Sequence, residues 1–270
     1  MKLLTASAVS LRYGDTSILE GVSLDVIRGD CIGLIGPNGA GKTSLLRILA
    51  GLTLPTAGLI SLTGIDESEA ETYAGGGRVG YHAQSPEMHW PLPVKVIVAL
   101  GRFPYAGSVD RLTPHDEQAV LNACRLMQIE HLLDRRSSTL SGGELARVHM
   151  ARLLASEPKL ILADEPVANL DPRHQTGILS ALRRHAELSG ATVVVLHDLA
   201  LAARFCTRLV MMKNGRVLAD GSPEAVLSST LLEACFDVDE SYRRYSGIQA
   251  VLTAADCHPA SPPAEEDARS

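Results

Sequence analysis

A glycine-rich run near the N-terminus carries the strongest chemical signal in the chain. The run consists of Gly36, Pro37, Asn38, Gly39, Ala40, Gly41, Lys42, Thr43 and Ser44. It fits the P-loop pattern, in which a glycine and four variable residues precede Gly-Lys-Ser/Thr. The backbone N–H groups of such a loop bind phosphate oxygens, its lysine reaches the β- and γ-phosphates, and the following hydroxyl ligates Mg²⁺. The run therefore predicts a nucleoside-triphosphate site in which Lys42 binds phosphate and Thr43 binds the metal.

The residues around this run predict the elements that must position it. Residues 31–35 form a short apolar stretch, which is typical of a buried parallel strand. Residues 44–50 favour a helix, and Gly51 is placed to end it. A strand, a loop and a helix in that order direct the positive end of the helix dipole at the phosphates.

A second anion site is predicted at Leu140, Ser141, Gly142, Gly143 and Glu144. These residues stand directly before a helical segment whose apolar residues repeat at steps of three and four. A serine and two glycines at a helix N-terminus can bind an anion by the same physics as the first loop. Alone, such a triplet is more often a flexible turn; its place between the P-loop and an acidic strand end favours a functional interpretation.

That acidic strand end is Asp164-Glu165, which follows the apolar run 160–163. Ligands of open α/β sheets bind at the carboxyl ends of the strands. Neighbouring strand residues face opposite ways, so we expect the two carboxylates to have different roles. Asp164 can organise Mg²⁺, and Glu165 can polarise the water that attacks the γ-phosphate.

With these three motifs in order, the sequence resembles the ATP-binding cassette (ABC) family over roughly residues 2–245. Four further residues resemble its other motifs: Gln84 the Q-loop, Asp171 the D-loop, His197 the switch histidine, and Tyr13 the aromatic that stacks on adenine. Singly, each has a plainer alternative, such as a core aromatic, a surface amide or a buried histidine with a structural partner. All of these motifs occur along the chain in the order in which the family has them, and this order favours the ABC family.

One departure from the family pattern is visible directly after the signature. Leu145-Ala146-Arg147 stands where Gln-Gln-Arg is commoner. Because the arginine is kept, we expect only local packing to differ.

The resemblance implies an α/β fold, a P-loop NTPase (ABC ATPase) core with a flanking antiparallel β subdomain and an inserted α-helical subdomain. The pattern of apolar and polar residues along the chain agrees with this fold. Residues 22–26 and 60–63 alternate apolar and polar residues, as half-buried antiparallel strands do. Central parallel strands are predicted at residues 31–35, 160–163 and 192–196. Residues 85–156, which open with three prolines and continue into helical segments, predict the helical insertion.

The C-terminal part carries two local signals and a tail. Asn214-Gly215 predicts a β-hairpin, and Ser222-Pro223 predicts a capped helix start. We place the nucleotide-binding domain at residues 1–245 and a C-terminal extension at 246–270. The extension is rich in proline and acidic residues from about residue 256, which predicts disorder there.

The resemblance also implies a mechanism that uses ATP and Mg²⁺. Two copies would form a head-to-tail homodimer, with each ATP between Lys42 of one copy and Ser141, Gly142, Gly143 and Glu144 of the other. Mg²⁺ would be held by Thr43, Gln84 and Asp164. Lys42, Glu165 and His197 would be catalytic, and Asp171 would act across the interface.

A single cassette with no membrane span suggests an importer with separate permease subunits. Residues 91–105, a valine-rich helix followed by Ala-Leu-Gly-Arg and an aromatic-Pro step, resemble importers of ferric siderophores, haem and cobalamin, as do residues 196–204. Ferric siderophore is the first choice of cargo, ahead of haem and cobalamin. The resemblance implies a transmembrane permease dimer, a periplasmic or lipoprotein substrate-binding protein, and peripheral attachment at the cytoplasmic face of the inner membrane. Within the insertion, residues 86–102 are the expected contact with the permease.

Composition separates this interpretation from its rivals. A net charge of −6 and a pI near 5.8 oppose a nucleic-acid partner, and hence a soluble ABC ATPase of ribosomes or DNA. Five cysteines without CxxC spacing suit reduced thiols in a cytosolic protein. A scaffold with a degenerate site is opposed by the intact catalytic set. The histidines show no metal-site spacing, and four are expected at the surface: His82, His89, His115 and His131.

Overall fold

The computed structural model describes residues 1–63, 78–84, 91–238, 242 and 247–255. The parts of the predicted helical insertion and permease contact at residues 85–90, the prediction for His89, and the tail from residue 256 lie outside this range. Nine strands are present in the described part. They are β1 (Lys2–Tyr13), β2 (Thr16–Ile27), β3 (Cys31–Ile35), β4 (Ala57–Leu62), β5 (Val79–His82), β6 (Leu160–Asp164), β7 (Ala191–Val195), β8 (Arg208–Lys213) and β9 (Arg216–Gly221).

The strands form two sheets. The larger sheet has the order β5-β6-β7-β3-β8-β9 and is parallel except for its last pair, β8 and β9. The smaller sheet has the order β2-β1-β4 and is antiparallel. The four strands β5, β6, β7 and β3 are parallel neighbours although they come from distant parts of the sequence, so their carboxyl ends lie at one edge of the sheet.

The described α-helices are α1 (Lys42–Leu49), α2 (Val94–Ala99), α3 (Phe103–Ala106), α4 (Pro114–Leu126), α5 (Gly142–Ala155), α6 (Pro172–Leu188), α7 (Leu199–Phe205), α8 (Pro223–Val226), α9 (Ser229–Phe236) and α10 (Ile248–Ala255). Short 3-10 turns occur at Leu100–Arg102, Val109–Arg111, Glu130–Leu132 and Ser137–Thr139. No helix of the described residues is long and apolar enough to cross a bilayer.

Alternation along β3 explains how the large sheet is covered on both faces. Cys31 and Ile35 belong to a core shared with α5, α6 and α7. Ile32 and Leu34 belong to a second core, shared with α1 and the antiparallel sheet. A strand buried on both faces must be apolar throughout, as the sequence of β3 is. The site at its carboxyl end therefore rests on a rigid, fully packed element.

The predicted fold class is confirmed, with its antiparallel β subdomain and its helical region. The hairpin at Asn214-Gly215 joins β8 to β9, and the Ser222 side chain caps α8. The domain boundary at residue 245 stays a prediction; beyond it, α10 packs on α7 and buries Ile248 and Leu252 in the larger core.

One surface expectation is wrong, and one residue of the expected permease contact is buried. His82, the last residue of β5, is 8% exposed, because α5 packs over this edge strand. Arg102, inside the stretch expected to contact a permease, is 3% exposed and its Nε donates to Asp116 Oδ1 at 2.7 Å. Its Nη1 also donates to the carbonyl of Ala155 and to Glu157. Arg102 therefore ties α4 to the end of α5 inside the helical region.

Candidate nucleotide site

The glycine-rich loop connects β3 to α1, as the sequence predicts. Its first residue, Gly36, has a φ of 145°, and a Cβ there would lie 2.1 Å from the carbonyl oxygen of Met212. Any side chain at this position would therefore displace β8 or the loop. Close approach to a neighbouring strand, together with the left-handed backbone, explains why glycine begins the loop.

Lys42 begins α1 and points back into the loop. Its ammonium donates to the carbonyl of Gly36 at 2.8 Å and to that of Pro37 at 2.9 Å, and the residue is 6% exposed. Burial lowers the pKa of Lys42, and the carboxylates of Glu165 and Asp164 oppose that shift. The loop carbonyls thus hold a cationic group at the position where the motif requires one.

Thr43 and Asp164 form an oxygen pair beneath the loop. The Thr43 hydroxyl donates to Asp164 Oδ1 at 3.2 Å, across 121 residues of sequence. Asp164 ends β6 and is 1% exposed, and burial raises the pKa of its carboxyl while the Thr43 hydrogen bond opposes the rise. A hydroxyl and a carboxylate side by side are hard oxygen ligands of the kind that Mg²⁺ prefers.

Glu165, which follows β6, is held by residues that follow the two strands on either side of β6. Gln84, just beyond β5, donates its amide Nε2 to Glu165 Oε2 at 2.9 Å. His197, just beyond β7, has its Nε2 at 2.6 Å from Glu165 Oε1. Since a carboxylate only accepts, Nε2 of His197 carries the proton in this pair. The sequence-predicted residues Gln84, Glu165 and His197 therefore meet at one point.

Strand alternation is not what separates the two carboxylates. β6 ends at Asp164, and Glu165 has a φ of 48° in the left-handed region. This turn lifts the Glu165 side chain toward Gln84 and His197, while Asp164 stays beneath the loop. The expectation of two distinct environments is met, but its physical cause is backbone geometry at the strand end.

A cavity of about 280 Å³ lies over these groups. It is lined by Ile18, Asn38, Gly39, Ala40, Gly41, Lys42, Thr43, Ser44, Glu165 and His197. Ile18 is an addition that sequence analysis missed, since nothing in β2 distinguishes it from other apolar strand residues. Tyr13 is 62% exposed at the end of β1, outside the lining of this cavity in the described structure.

The second predicted anion site lies elsewhere on the chain. Ser141 caps α5: its hydroxyl accepts from the backbone N–H of Glu144 at 3.3 Å, and the Glu144 carboxylate accepts from the N–H of Ser141 at 2.8 Å. That backbone hydrogen bond lowers the pKa of Glu144. The reciprocal pairing fixes the helix start and leaves Gly142 and Gly143 in its first turn.

Ser141 and Glu144 line a different cavity, of about 540 Å³. It is lined by Gln128, Glu130, His131, Ser141, Glu144, Arg147, Arg173 and His174, and shares no residue with the cavity at the glycine-rich loop. Arg147, the residue kept in the altered signature, donates to the carbonyls of Met127 and Gln128 and so ties α5 to the end of α4. Within one chain, the predicted signature does not complete the site at Lys42.

Asp171 lies beside the signature and not beside the glycine-rich loop. It caps α6, accepting from the backbone N–H of His174 at 3.0 Å. This backbone hydrogen bond, followed by the bond to the His174 ring, lowers the pKa of Asp171. The structure thus divides the predicted residues into two groups. One surrounds Lys42 and Glu165, and the other surrounds Ser141 and Asp171.

Comparison with known proteins agrees with this geometry. The profile of the family described as "ABC transporter" matches residues 19–168. The "Hemin import ATP-binding protein HmuV" of Pseudomonas aeruginosa is 38% identical over 251 residues, covering 90% of this chain and 96% of the relative. The protein of the same name from Streptomyces coelicolor is 39% identical over 235 residues, covering 87% and 83%.

Two solved structures extend the likeness to three dimensions. A metal-chelate type ABC transporter in an inward-facing conformation has a TM-score of 0.76 and 26% identity, covering 88% of this chain and 90% of that one. A dimeric ATP-binding cassette in a post-hydrolysis state, bound to ADP and Pi, has a TM-score of 0.70 and 26% identity, covering 82% and 99%.

Proposed function

This chain belongs to the ABC transporter family as an ATP-binding subunit and is an ATPase, and on that basis we propose that it hydrolyses ATP to drive import of haem through a separate permease. The observation that carries the catalytic part is the Glu165 carboxylate, held at 2.9 Å by Gln84 and at 2.6 Å by His197 at the rim of the Lys42 cavity.

Glu165 is the general base in this proposal. Its side chain is 16% exposed, so water can reach it, and two fixed donors orient its oxygens. When ATP binds, the γ-phosphate competes for His197, which frees one carboxylate oxygen to accept a proton from the attacking water. Lys42 neutralises charge on the β- and γ-phosphates, and the loop N–H groups bind the remaining oxygens.

Mg²⁺ fits the oxygen pair formed by Thr43 and Asp164, with Gln84 as a third candidate ligand. The described residues contain no group of three or more His, Cys, Asp or Glu side chains that could enclose a metal unaided. Mg²⁺ needs only a few protein ligands where phosphates and waters complete its coordination shell. When bound, the ion would neutralise charge on the phosphates.

A second copy of the chain completes the site in this proposal. ABC ATPase subunits of importers dimerise and work with a permease, and a solved relative is a dimeric cassette bound to ADP and Pi. Here the signature residues face a cavity apart from their own Lys42, which supports a head-to-tail arrangement. Ser141 to Glu144 would then bind the partner's ATP, Asp171 would contact the partner, and Tyr13 would stack on the adenine.

The cargo is proposed from the relatives' names. Proteins named for hemin import cover about nine-tenths of this chain, and their likeness supports haem ahead of the other iron complexes. Ferric siderophore, the first choice from the sequence alone, is the competing cargo, followed by cobalamin. A substrate-binding protein would deliver the cargo to the permease, and the chain would sit peripherally at the cytoplasmic face of the inner membrane.

Uptake in a strain that lacks this subunit tests the proposal. Labelled haem, ferric siderophore and cobalamin are compared after complementation with wild type, Glu165→Gln or Glu187→Gln. Glu187 is a matched control, because its carboxylate is exposed and, among the described residues, pairs with Arg183 of the same helix alone. We expect haem uptake to be restored by wild type and by Glu187→Gln but not by Glu165→Gln. Rescue of siderophore or cobalamin uptake in place of haem would refute the cargo, and equal rescue by Glu165→Gln would refute the catalytic assignment.

A further inference from the structure

His174 contacts both of the loops that lie away from the Lys42 cavity. It stands on the first turn of α6, three residues after Asp171. Its ring Nδ1 lies 2.7 Å from Asp171 Oδ2, and its backbone N–H donates to Oδ1 of the same carboxylate at 3.0 Å. Because the carboxylate only accepts, the ring donates through Nδ1–H. Two hydrogen bonds from one residue thus fix the orientation of Asp171.

The face of the same ring covers the backbone of Gly143. A Cβ at position 143 would lie 2.7 Å from Cγ and Nδ1 of His174 and 2.8 Å from its Cδ2. Three ring atoms at nearly equal distance mean that the imidazole stacks on this residue. The ring therefore occupies the space where a side chain at position 143 would stand, and α5 can approach α6 closely only with glycine there.

His174 makes these contacts from a sheltered position. Its side chain is 18% exposed, and it lines both the signature cavity and an adjoining cavity of about 390 Å³. His174 does not line the cavity at Lys42, so it would not contact the phosphates of an ATP bound to Lys42 of the same chain. Its contacts join two parts of the molecule, since Asp171 leads from the central sheet into α6 and Gly143 lies in the first turn of α5, the last helix of the helical region.

From this juxtaposition we infer that His174 is a positioning residue that holds Asp171 and the signature turn together, so that both meet the partner's nucleotide in one fixed arrangement. The inference rests on the proposed head-to-tail site. Without the imidazole, the two loops would have to be ordered separately when the dimer closes. The lost conformational entropy then weakens closure, although no group that touches ATP has changed.

Variants at position 174 separate this role from a merely structural one. His174→Ala removes both contacts, whereas His174→Asn keeps an amide N–H near the position of Nδ1. Thr176→Ala is the matched control, because Thr176 lies on the same helix and its hydroxyl donates to the carbonyl of Pro172, within α6 itself. Three quantities are measured on the full chain: ATP affinity at a concentration where it is monomeric, ATP-dependent dimerisation in a Glu165→Gln background, and kcat.

We expect His174→Ala to weaken ATP-dependent dimerisation about tenfold, the size of one hydrogen bond to a charged group, and to lower kcat similarly. The ATP affinity of the monomer should not change. His174→Asn should recover part of both losses, and Thr176→Ala should behave as wild type. Gly143→Ala should weaken dimerisation more in the wild-type chain than beside His174→Ala, because the smaller residue removes the clash.

Two results would overturn the inference while leaving the proposed function intact. One is dimerisation and kcat of His174→Ala within twofold of wild type. The other is a fall in monomer ATP affinity in step with a fall in the unfolding temperature, which would make His174 a structural residue only. If the chain with Glu165→Gln alone fails to dimerise with ATP, the head-to-tail site itself is refuted, and the inference falls with it.

Discussion

Acid should destabilise this chain as the pH falls from 6.5 toward 4, because three buried histidines form no ion pair among the described residues. His82, His149 and His185 are between 4% and 8% exposed. Within the described residues, Nδ1 of His82, both ring nitrogens of His149 and Nε2 of His185 have no hydrogen-bond partner. Burial lowers the pKa of each to about 4, from an ordinary 6.5, and Arg152 or Lys159 nearby adds to the shift.

The direction of this pH dependence follows from which state of the chain binds protons first. A histidine whose folded pKa is lowered is protonated first in the unfolded chain, so its contribution is constant above pH 6.5. Stability is lost as pH falls from 6.5 toward 4. At pH 5 the unfolded residue is almost fully charged and the folded one almost neutral, which costs about 2 kcal/mol for each histidine relative to pH 7. Three such residues sum to about 6 kcal/mol, a large part of a typical unfolding free energy.

His149→Leu isolates one of these contributions. Leucine is similar in size and breaks no hydrogen bond at this position, because neither ring nitrogen has a partner among the described residues. The unfolding temperature is measured at pH 7 and pH 5 by circular dichroism. We expect the drop between the two pH values to shrink by about 5 °C in the variant, the equivalent of about 2 kcal/mol in a chain of this size.

His115→Leu is the matched control, because the His115 side chain is 71% exposed. It should show the wild-type pH dependence. The Asp116 carboxyl does not interfere, since hydrogen bonds from Thr113, and then Arg102, hold its pKa at about 2, below this range. Equal drops for wild type and His149→Leu would refute the reasoning.

Two further predictions concern single contacts. Glu165→Gln should keep ATP binding, accumulate as a dimer and lower kcat by about a hundredfold or more, as loss of a general base does; steady-state ATPase assays showing near-normal turnover would contradict it. Arg102→Met leaves the Asp116 carboxylate without its 2.7 Å partner and should lower the midpoint of urea unfolding at pH 7. The double variant Arg102→Met, Asp116→Leu should recover part of that loss, and no recovery would show that the cost lies elsewhere.

The residues around Lys42 could be predicted from sequence because local pattern determines them. A glycine loop between an apolar strand and a helix needs no knowledge of distant contacts. The Asp164-Glu165 strand end is similar, since parallel strands place their carboxyl ends at one edge. What the sequence did not predict was why Asp164 and Glu165 have different environments. The cause is the left-handed backbone at Glu165, which cannot be recognised from the type of residue there.

Contacts between distant elements could not be predicted in this way. His82 looks like any polar residue at a strand end, and only packing of α5 buries it. Arg102 looks like a surface cation until the fold brings Asp116 against it. His174 has no signal at all in the sequence, since its importance depends on Gly143 lying beneath its ring. In each case the missing information is the tertiary neighbour.

The composite ATP site is tested most directly by mixing two inactive variants of the full chain. Lys42→Ala disables a subunit's own phosphate loop, and Ser141→Arg disables the signature that it offers to its partner. In an equal mixture half the dimers are mixed and each has one intact site, so ATPase activity should reach about a quarter of the wild-type value. Activity no greater than that of the two variants measured separately would contradict a site shared between two copies.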